Sequence, residues 1–438
     1  MIEEETKVKI VYDLTKHIRL DRRFYIWMGF LTVCLVFCLY AYSNQLNIGL
    51  GVTGMRDYIS WGIYVSNFVF FVATSLIGML ISSVLGLIGQ KWIIPISRIA
   101  EIIAFTFASV AGLVIITDMG RPERLMYIFI YGQFQSPVVW DLTLVILYFL
   151  ITMGLYFVPA IPDIAILNNE NKNFPRWQKK LYQKLSFNWN GTRTQKSLLM
   201  KTTKLLLLLA IPVAFGIHTV TSWLFALTPR PGWNSTIFGP YFIAGAFVTG
   251  VSALIIVTVI LRKIFRLEEY ITQLHFDKLA RLLLLVSLIY LYFNVNEYLV
   301  SSYNVKKGEA VLLHELFSGR YSVLYWLVQI AGVLLPAILP LFKFFRKNTS
   351  ILILSILVLV ASWFKRYLII IPTMENPLLP IQNVPGNFIY YKPTEVEIAV
   401  TAGTIVIVIM FISILAKIFP VIPVNQILEE MKSETLVK

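Results

Sequence analysis

The chain has 438 residues, 57% of them hydrophobic and 14% charged, with a mean hydropathy of +0.72 and a formal net charge of +14. This composition excludes a soluble globule and describes a protein that crosses a membrane many times. So much positive charge can signal nucleic acid, but here it is the excess of Lys and Arg expected in loops on the cytoplasmic side.

The opening segment 1–21 is charged and has no apolar stretch with a cleavage site, so no signal peptide is expected and the segment should stay cytoplasmic. Ten apolar stretches follow, each long enough to cross the bilayer. They run over 22–46, 60–88, 94–118, 138–159, 201–227, 239–263, 280–303, 320–343, 350–373 and 396–418. Cys34 and Cys38 lie one helical turn apart in the first stretch. Two sulfurs cannot hold an iron–sulfur cluster, which needs four ligands, so they read as small packing residues. Segment 160–200 is basic and aromatic and should lie as a surface helix in the headgroup region, rather than serve as a docking site. Segment 419–438 forms the tail. No low-complexity linker divides the chain, which reads as one membrane domain.

Orientation follows from the cations. With the N-terminus cytoplasmic, 28 of the 38 Lys and Arg fall on the inner side. Eight fall outside (Arg56, Arg121, Arg124, Arg230, Lys306, Lys307, Arg320 and Lys392), and Lys365 and Arg366 lie within the ninth stretch. Both termini are therefore expected in the cytoplasm. The second stretch begins WGIYVSNFVF and the sixth FGPYFIAGAF, so Gly62-x-Tyr64 echoes Gly239-x-Tyr241 at a distance of 177 residues. This echo predicts an all-α fold of two parallel four-helix bundles, spans 2–5 and 6–9, flanked by spans 1 and 10.

With orientation set, the polar residues within spans gather at one level. Tyr64 and Asn67 open span two, Asp118 closes span three and Asp141 opens span four. His218, Thr221 and Ser222 occupy the outer half of span five, and Asn294, Asn296 and Glu297 that of span seven; Lys365 and Arg366 do so in span nine. The inner halves are nearly bare, apart from Arg98 and Glu101, which are spaced to pair with each other. Ionisable groups inside a membrane are costly and mark function by default. Each also has a plainer reading. Asp118 could pair with Arg121, Asp141 could cap its own helix, Glu297 and Arg366 could neutralise one another, and His218 could make an interhelical hydrogen bond. Taken together, the level suits an amphipathic ligand with a polar head and an apolar tail. A quinone fits: its carbonyl oxygens accept hydrogen bonds and its reduction takes up protons, for which carboxylates and a histidine are suitable partners. Of the four histidines, His17, His218, His275 and His314, only His218 lies within a span, which argues against a bis-histidine haem. No metal site is expected. A secondary transporter is the rival reading, but transporter sites usually lie at the midplane between broken helices.

Asp118–Leu125 (DMGRPERL), Ser136–Asp141 (SPVVWD), Ile161–Ala165 (IPDIA), Ile217–Trp223 (IHTVTSW) and Pro231–Phe247 (PGWNSTIFGPYFIAGAF) resemble the NrfD/PsrC-type membrane subunits. The ten spans and the Pro231–Phe247 stretch are most similar to the ActC/ActF branch of alternative complex III. The resemblance implies a quinone-interacting anchor of a polysulfide reductase or related respiratory complex, in a prokaryotic cytoplasmic membrane. It implies no redox cofactor of its own and menaquinone or ubiquinone as substrate. The partners implied are an extracytoplasmic iron–sulfur subunit, further subunits carrying clusters or haem, and a homologous NrfD-like chain. By motif matching, Asp141 falls on the family's acidic residue at the quinone site. Asp118 and Asn234 stand where relatives of the complex III branch often carry His, which leaves the proton acceptor open. The site expected is Asp118, Asp141 and His218 for proton handling, with Tyr64, Asn67, Arg121, Glu297 and Arg366 around the head group. Arg121, Arg124, Arg230 and Tyr390–Glu397 are expected to form the docking surface.

Overall fold

A computed structural model describes residues 2–170, 174–303, 306–376, 383–385 and 388–437. Among the described residues there are only helices and turns, and ten helices are long and apolar enough to cross a membrane. Spans one to five are Arg22–Ile48, Ile63–Leu85, Ile94–Asp118, Pro137–Phe157 and Arg193–Ala226. Spans six to ten are Phe238–Phe265, Gln273–Tyr303, Ser322–Leu341, Asn348–Glu375 and Glu395–Ile418.

The boundaries follow the hydropathy closely except at two starts. Span five begins at Arg193, well before the expected 201, because Thr192 and Gln195 form a reciprocal capping box that fixes the helix start in a polar stretch. Span seven likewise extends back to Gln273 through QLHFDKLA, which is too polar to register as membrane. Both helices extend past their apolar stretches.

The packing is that of two rings. Spans two, three, four and five each touch the next, and five closes onto two; six, seven, eight and nine repeat the pattern, with nine closing onto six. Spans one and ten pair with each other and lean on spans two and three. The two-bundle arrangement expected from the Gly-x-Tyr echo is thus present. The rings meet where span six crosses spans two and five, and where span nine meets span two. At that crossing Gly250 lies so close to Ile77 that an added methyl would sit 3.0 Å from its Cβ. Close backbone approach at small residues holds helices together where lipid removes the hydrophobic drive.

Both chain ends lie on one face, the N-terminal face. The 160–200 segment forms two helices there, Ile161–Glu170 and Arg176–Leu185, and it is partly built into the protein rather than lying wholly on the surface. Tyr182 is buried and donates to the Ile418 carbonyl at 2.6 Å. Asp163, also buried, accepts from Arg98 Nη2 at 3.1 Å and from the Asn425 amide at 2.7 Å. Arg98 also meets Glu101 at 3.5 Å, so the expected pair exists but is one arm of a triad. Burial pushes the Asp163 carboxyl up and the neighbouring Arg98 charge opposes that push.

Candidate functional site

The opposite, distal face receives the ends of spans one, three, five, seven and nine and the starts of the even-numbered spans. Within about two to four turns of it the structure places nearly all the polar side chains expected from the sequence. They form several small groups rather than one.

The first group joins spans four and five. Asp141 is not a cap, because span four starts at Pro137 and no side chain caps it. Its Oδ1 instead accepts a hydrogen bond from Thr221 Oγ1 at 2.5 Å, across the helix pair. No cation lies within ion-pair distance of Asp141 among the described residues. One turn from Thr221, His218 is buried and its Nδ1 faces the Ala214 carbonyl of its own helix at 2.9 Å. The ring also meets the Val72 backbone of span two, so the expected interhelical contact is present, although Nε2 falls short of good hydrogen-bond geometry.

The second group joins spans one, two, three and ten. Tyr64 donates to Gln45 Oε1 at 2.6 Å, and Gln45 Nε2 donates to the Thr117 carbonyl at 2.8 Å. Next to Thr117, Asp118 does not pair with Arg121, and its Oδ1 is buried without a hydrogen bond. Glu397 closes this group: it is buried, accepts from Tyr391 Oη at 2.6 Å and from the Gly54 amide at 2.7 Å, and caps span ten together with Thr394. Tyr390–Glu397 is consequently not all docking surface. Tyr391 and Glu397 face inward, and only Tyr390, Lys392, Glu395 and their half-buried neighbours reach out. Burial and the Glu397 carboxylate push the Tyr391 hydroxyl well above its ordinary range.

The third group belongs to the second bundle. Lys365 Nζ donates to Tyr298 Oη at 2.7 Å and to Asn294 Oδ1 at 3.1 Å, and stands over the rings of Tyr241, Tyr298 and Tyr325 at 4.7–5.9 Å. Tyr241 also donates to Asn294 Oδ1 at 2.9 Å, and Asn294 Nδ2 to Gln329 Oε1 at 2.7 Å. Glu297 accepts from Ser235 at 2.8 Å and does not pair with Arg366. A small cavity of about 40 Å³ beside Glu297, Tyr298, Glu309 and Thr373 has room for water.

The remaining expected residues lie apart. Asn67 is fully engaged, giving a hydrogen bond to Thr401 at 2.9 Å and taking one from Trp363 at 2.7 Å. Arg366 is buried beside Gly245, where an added methyl would lie 3.2 Å from its Nη2 and 3.0 Å from Tyr290. Among the described residues Arg366 forms no hydrogen bond or ion pair. Arg121 is exposed in the loop after span three and contacts none of these groups, although Gly120 beside it abuts Leu50. Sequence reasoning passed over Gln45, Tyr298 and Gln329, which carry no charge to draw notice, and Lys365, which was seen but left out of the site. Asn296, by contrast, bonds only its own helix, at Tyr292. No group of three or more His, Cys, Asp or Glu that could hold a metal occurs among the described residues.

Comparison with known proteins places this geometry in context. The family profile described as polysulphide reductase, NrfD, matches residues 51–376, which hold Asp118, Asp141, His218, Asn294, Glu297 and Lys365 but neither Gln45 nor the stretch from Tyr390 onward. A protein of Halobacterium salinarum named as a membrane subunit of dimethyl sulfoxide reductase is 28% identical over 86% of this chain and 87% of its own length. A subunit of the selenate reductase of Mesobacillus selenatarsenatis is 24% identical over 92% and 95%. The integral membrane subunit of menaquinone reductase from Nitratidesulfovibrio vulgaris is 30% identical, over 33% of this chain and 35% of its own.

Proposed function

The chain belongs to the NrfD polysulphide reductase family, and from that premise we propose that it is the quinone-reactive membrane subunit of a respiratory oxidoreductase. It exchanges electrons between membrane quinol or quinone and an iron–sulfur protein docked on the distal face. When quinol is oxidised, its two O–H protons leave to acceptors at the distal level and its two electrons pass to the partner's clusters; reduction reverses both. Menaquinone is the quinone favoured, because one relative is named for it. The relatives reported above are named for different terminal reactions, so the electron acceptor or donor belongs to the partner subunits. Kinship with the alternative complex III branch rests on the ten spans and the Pro231–Phe247 motif.

The observation that carries this reading is Asp141: a buried carboxylate at the distal end of span four, held by Thr221 and with no cation to neutralise it. A structural acid in hydrocarbon is expected to be paired. An unpaired one, held by a residue one turn from His218, suits a proton acceptor whose charge is transient. Asp118, also without a cation, provides a second acceptor nearer the surface. Arg366, a buried guanidinium with free donors, suits a quinone carbonyl oxygen. Tyr64, Asn67 and Glu297 shape the surroundings through Gln45, Trp363, Thr401 and Ser235, and Arg121 and Arg124 present positive charge to the partner. The excess of Lys and Arg on the N-terminal face supports a cytoplasmic location for both termini, in a prokaryotic inner membrane.

The test is Asp141→Asn in the assembled complex. Quinol turnover should fall at least tenfold, with assembly and melting temperature unchanged; wild-type turnover would remove Asp141 from the mechanism.

A further inference from the structure

A long groove of about 1400 Å³ runs between the paired spans one and ten and the wall made by spans two, six and nine. It is more than thirty times the size of the pocket near Glu297 and exceeds what a small-molecule site needs. From Thr401 to Lys417 it follows span ten for about 24 Å at ~1.5 Å per residue, most of the hydrocarbon thickness. Its walls are Phe70, Val257, Leu359, Ile405 and Ile412, with almost no polar surface.

Its mouth on the N-terminal face has a different chemistry. Lys16, Arg19, Arg23, Arg266 and Lys417 line it against a single acid, Asp21. Lys16 is taken by Asp13 at 2.9 Å and Lys417 by Asp21 at 3.2 Å. The three arginines are exposed and form no ion pair among the described residues. Arg266 closes span six in the left-handed conformation, φ 55° and ψ 56°, where glycine is the usual residue. A guanidinium kept at a strained position, next to two others and above an apolar channel, points to an anion with a tail. Just inside, His17 is 7% exposed and stacked on Phe265 at 4.4 Å, and neither of its ring nitrogens makes a well-formed hydrogen bond.

We propose that this groove is a binding site for an anionic phospholipid, with the phosphodiester held by Arg19, Arg23 and Arg266 and an acyl chain lying between spans ten and six. Paired N–H donors of arginine match phosphate oxygens, which a neutral quinone head would not use. The lipid fills the seam that joins spans one and ten to the two bundles. This inference does not depend on the quinone reading.

The purified complex, stripped with detergent and re-exposed to phosphatidylglycerol or phosphatidylcholine with the same acyl chains, would be weighed by native mass spectrometry. Phosphatidylglycerol should be retained at least fivefold better. The triple variant Arg19→Gln, Arg23→Gln, Arg266→Gln, and to a smaller degree Arg266→Gln alone, should bring the two lipids within twofold while the melting curve of the lipid-free protein stays put. Ala416→Phe, which narrows the groove, should lower retention of both. Equal retention of the two lipids by the wild type, or an undiminished preference in the triple variant, would overturn the proposal. So would a copurifying polypeptide that excludes both lipids, or a menaquinone that displaces phosphatidylglycerol one for one.

Discussion

The two bundles share a frame and differ in how they treat buried polarity. Each opens its first span with Gly-x-Tyr, and each buries that tyrosine against an amide: Tyr64 on Gln45, Tyr241 on Asn294. In the second bundle a buried cation anchors the network, although Gln329 Nε2 makes no well-formed hydrogen bond. Lys365 is shared by Asn294 and Tyr298, Asn294 reaches Gln329, and Glu297 is held by Ser235. In the first it stays open: Asp141 has a hydroxyl but no cation, and Asp118 Oδ1 and His218 Nε2 have no well-formed partner. A satisfied buried network fixes a structure, whereas unsatisfied groups in hydrocarbon persist when something else uses them. The candidate proton acceptors thus lie in the first bundle, while the lysine-centred network of the second holds structure beside Arg366.

Substitutions can break that contrast. The largest effect is expected from Asp141→Asn, where turnover drops at least tenfold, equivalent to about 1.4 kcal/mol of barrier, and stability does not change. Lys365→Met should do the reverse. Losing two hydrogen bonds and leaving the Tyr298 hydroxyl and Asn294 short of a partner costs about 1–2 kcal/mol, read as a lower melting temperature in detergent, with turnover within threefold of wild type. If Lys365→Met instead abolished turnover in a folded complex, the second network would belong to the reaction. Gly245→Ala probes packing inside the second bundle: the new methyl must push Tyr290 or Arg366 aside by a few tenths of an ångström, costing about 1 kcal/mol in melting experiments. Thr221→Val is the mildest. Removing one hydrogen bond from Asp141 is worth about 0.6 kcal/mol, seen as a roughly threefold change in turnover.

The sequence reveals the skeleton well because bilayer thickness imposes a length and a composition on every span. The ten crossings follow from that constraint, the two rings from the Gly-x-Tyr echo, and the distal level of polar groups from the orientation set by the cations. Partners were another matter. The plainer alternatives fail one by one: Asp141 could have capped its helix but bonds Thr221; Glu297 could have paired with Arg366 but bonds Ser235; Asp118 could have paired with Arg121, but its Oδ1 has no partner among the described residues. Spacing along one helix says which neighbours are possible, but a side chain's real partner here sits on another span, and its choice depends on helix rotation. Gln45, Tyr298 and Gln329 were illegible for a related reason, since neutral polar residues near span ends are common and only packing shows which are enclosed. Glu397 was placed outside because the preceding YYKPTE is polar, although its side chain folds back to hold the Gly54 amide.

The most direct measurement follows the absorbance of the partner's iron–sulfur clusters after a menaquinol analogue is added to the purified complex. The account predicts rapid reduction that a quinone-site inhibitor blocks and that Asp141→Asn slows at least tenfold. Clusters that stay oxidised under quinol, or that are reduced equally fast with inhibitor and in Asp141→Asn, would contradict it.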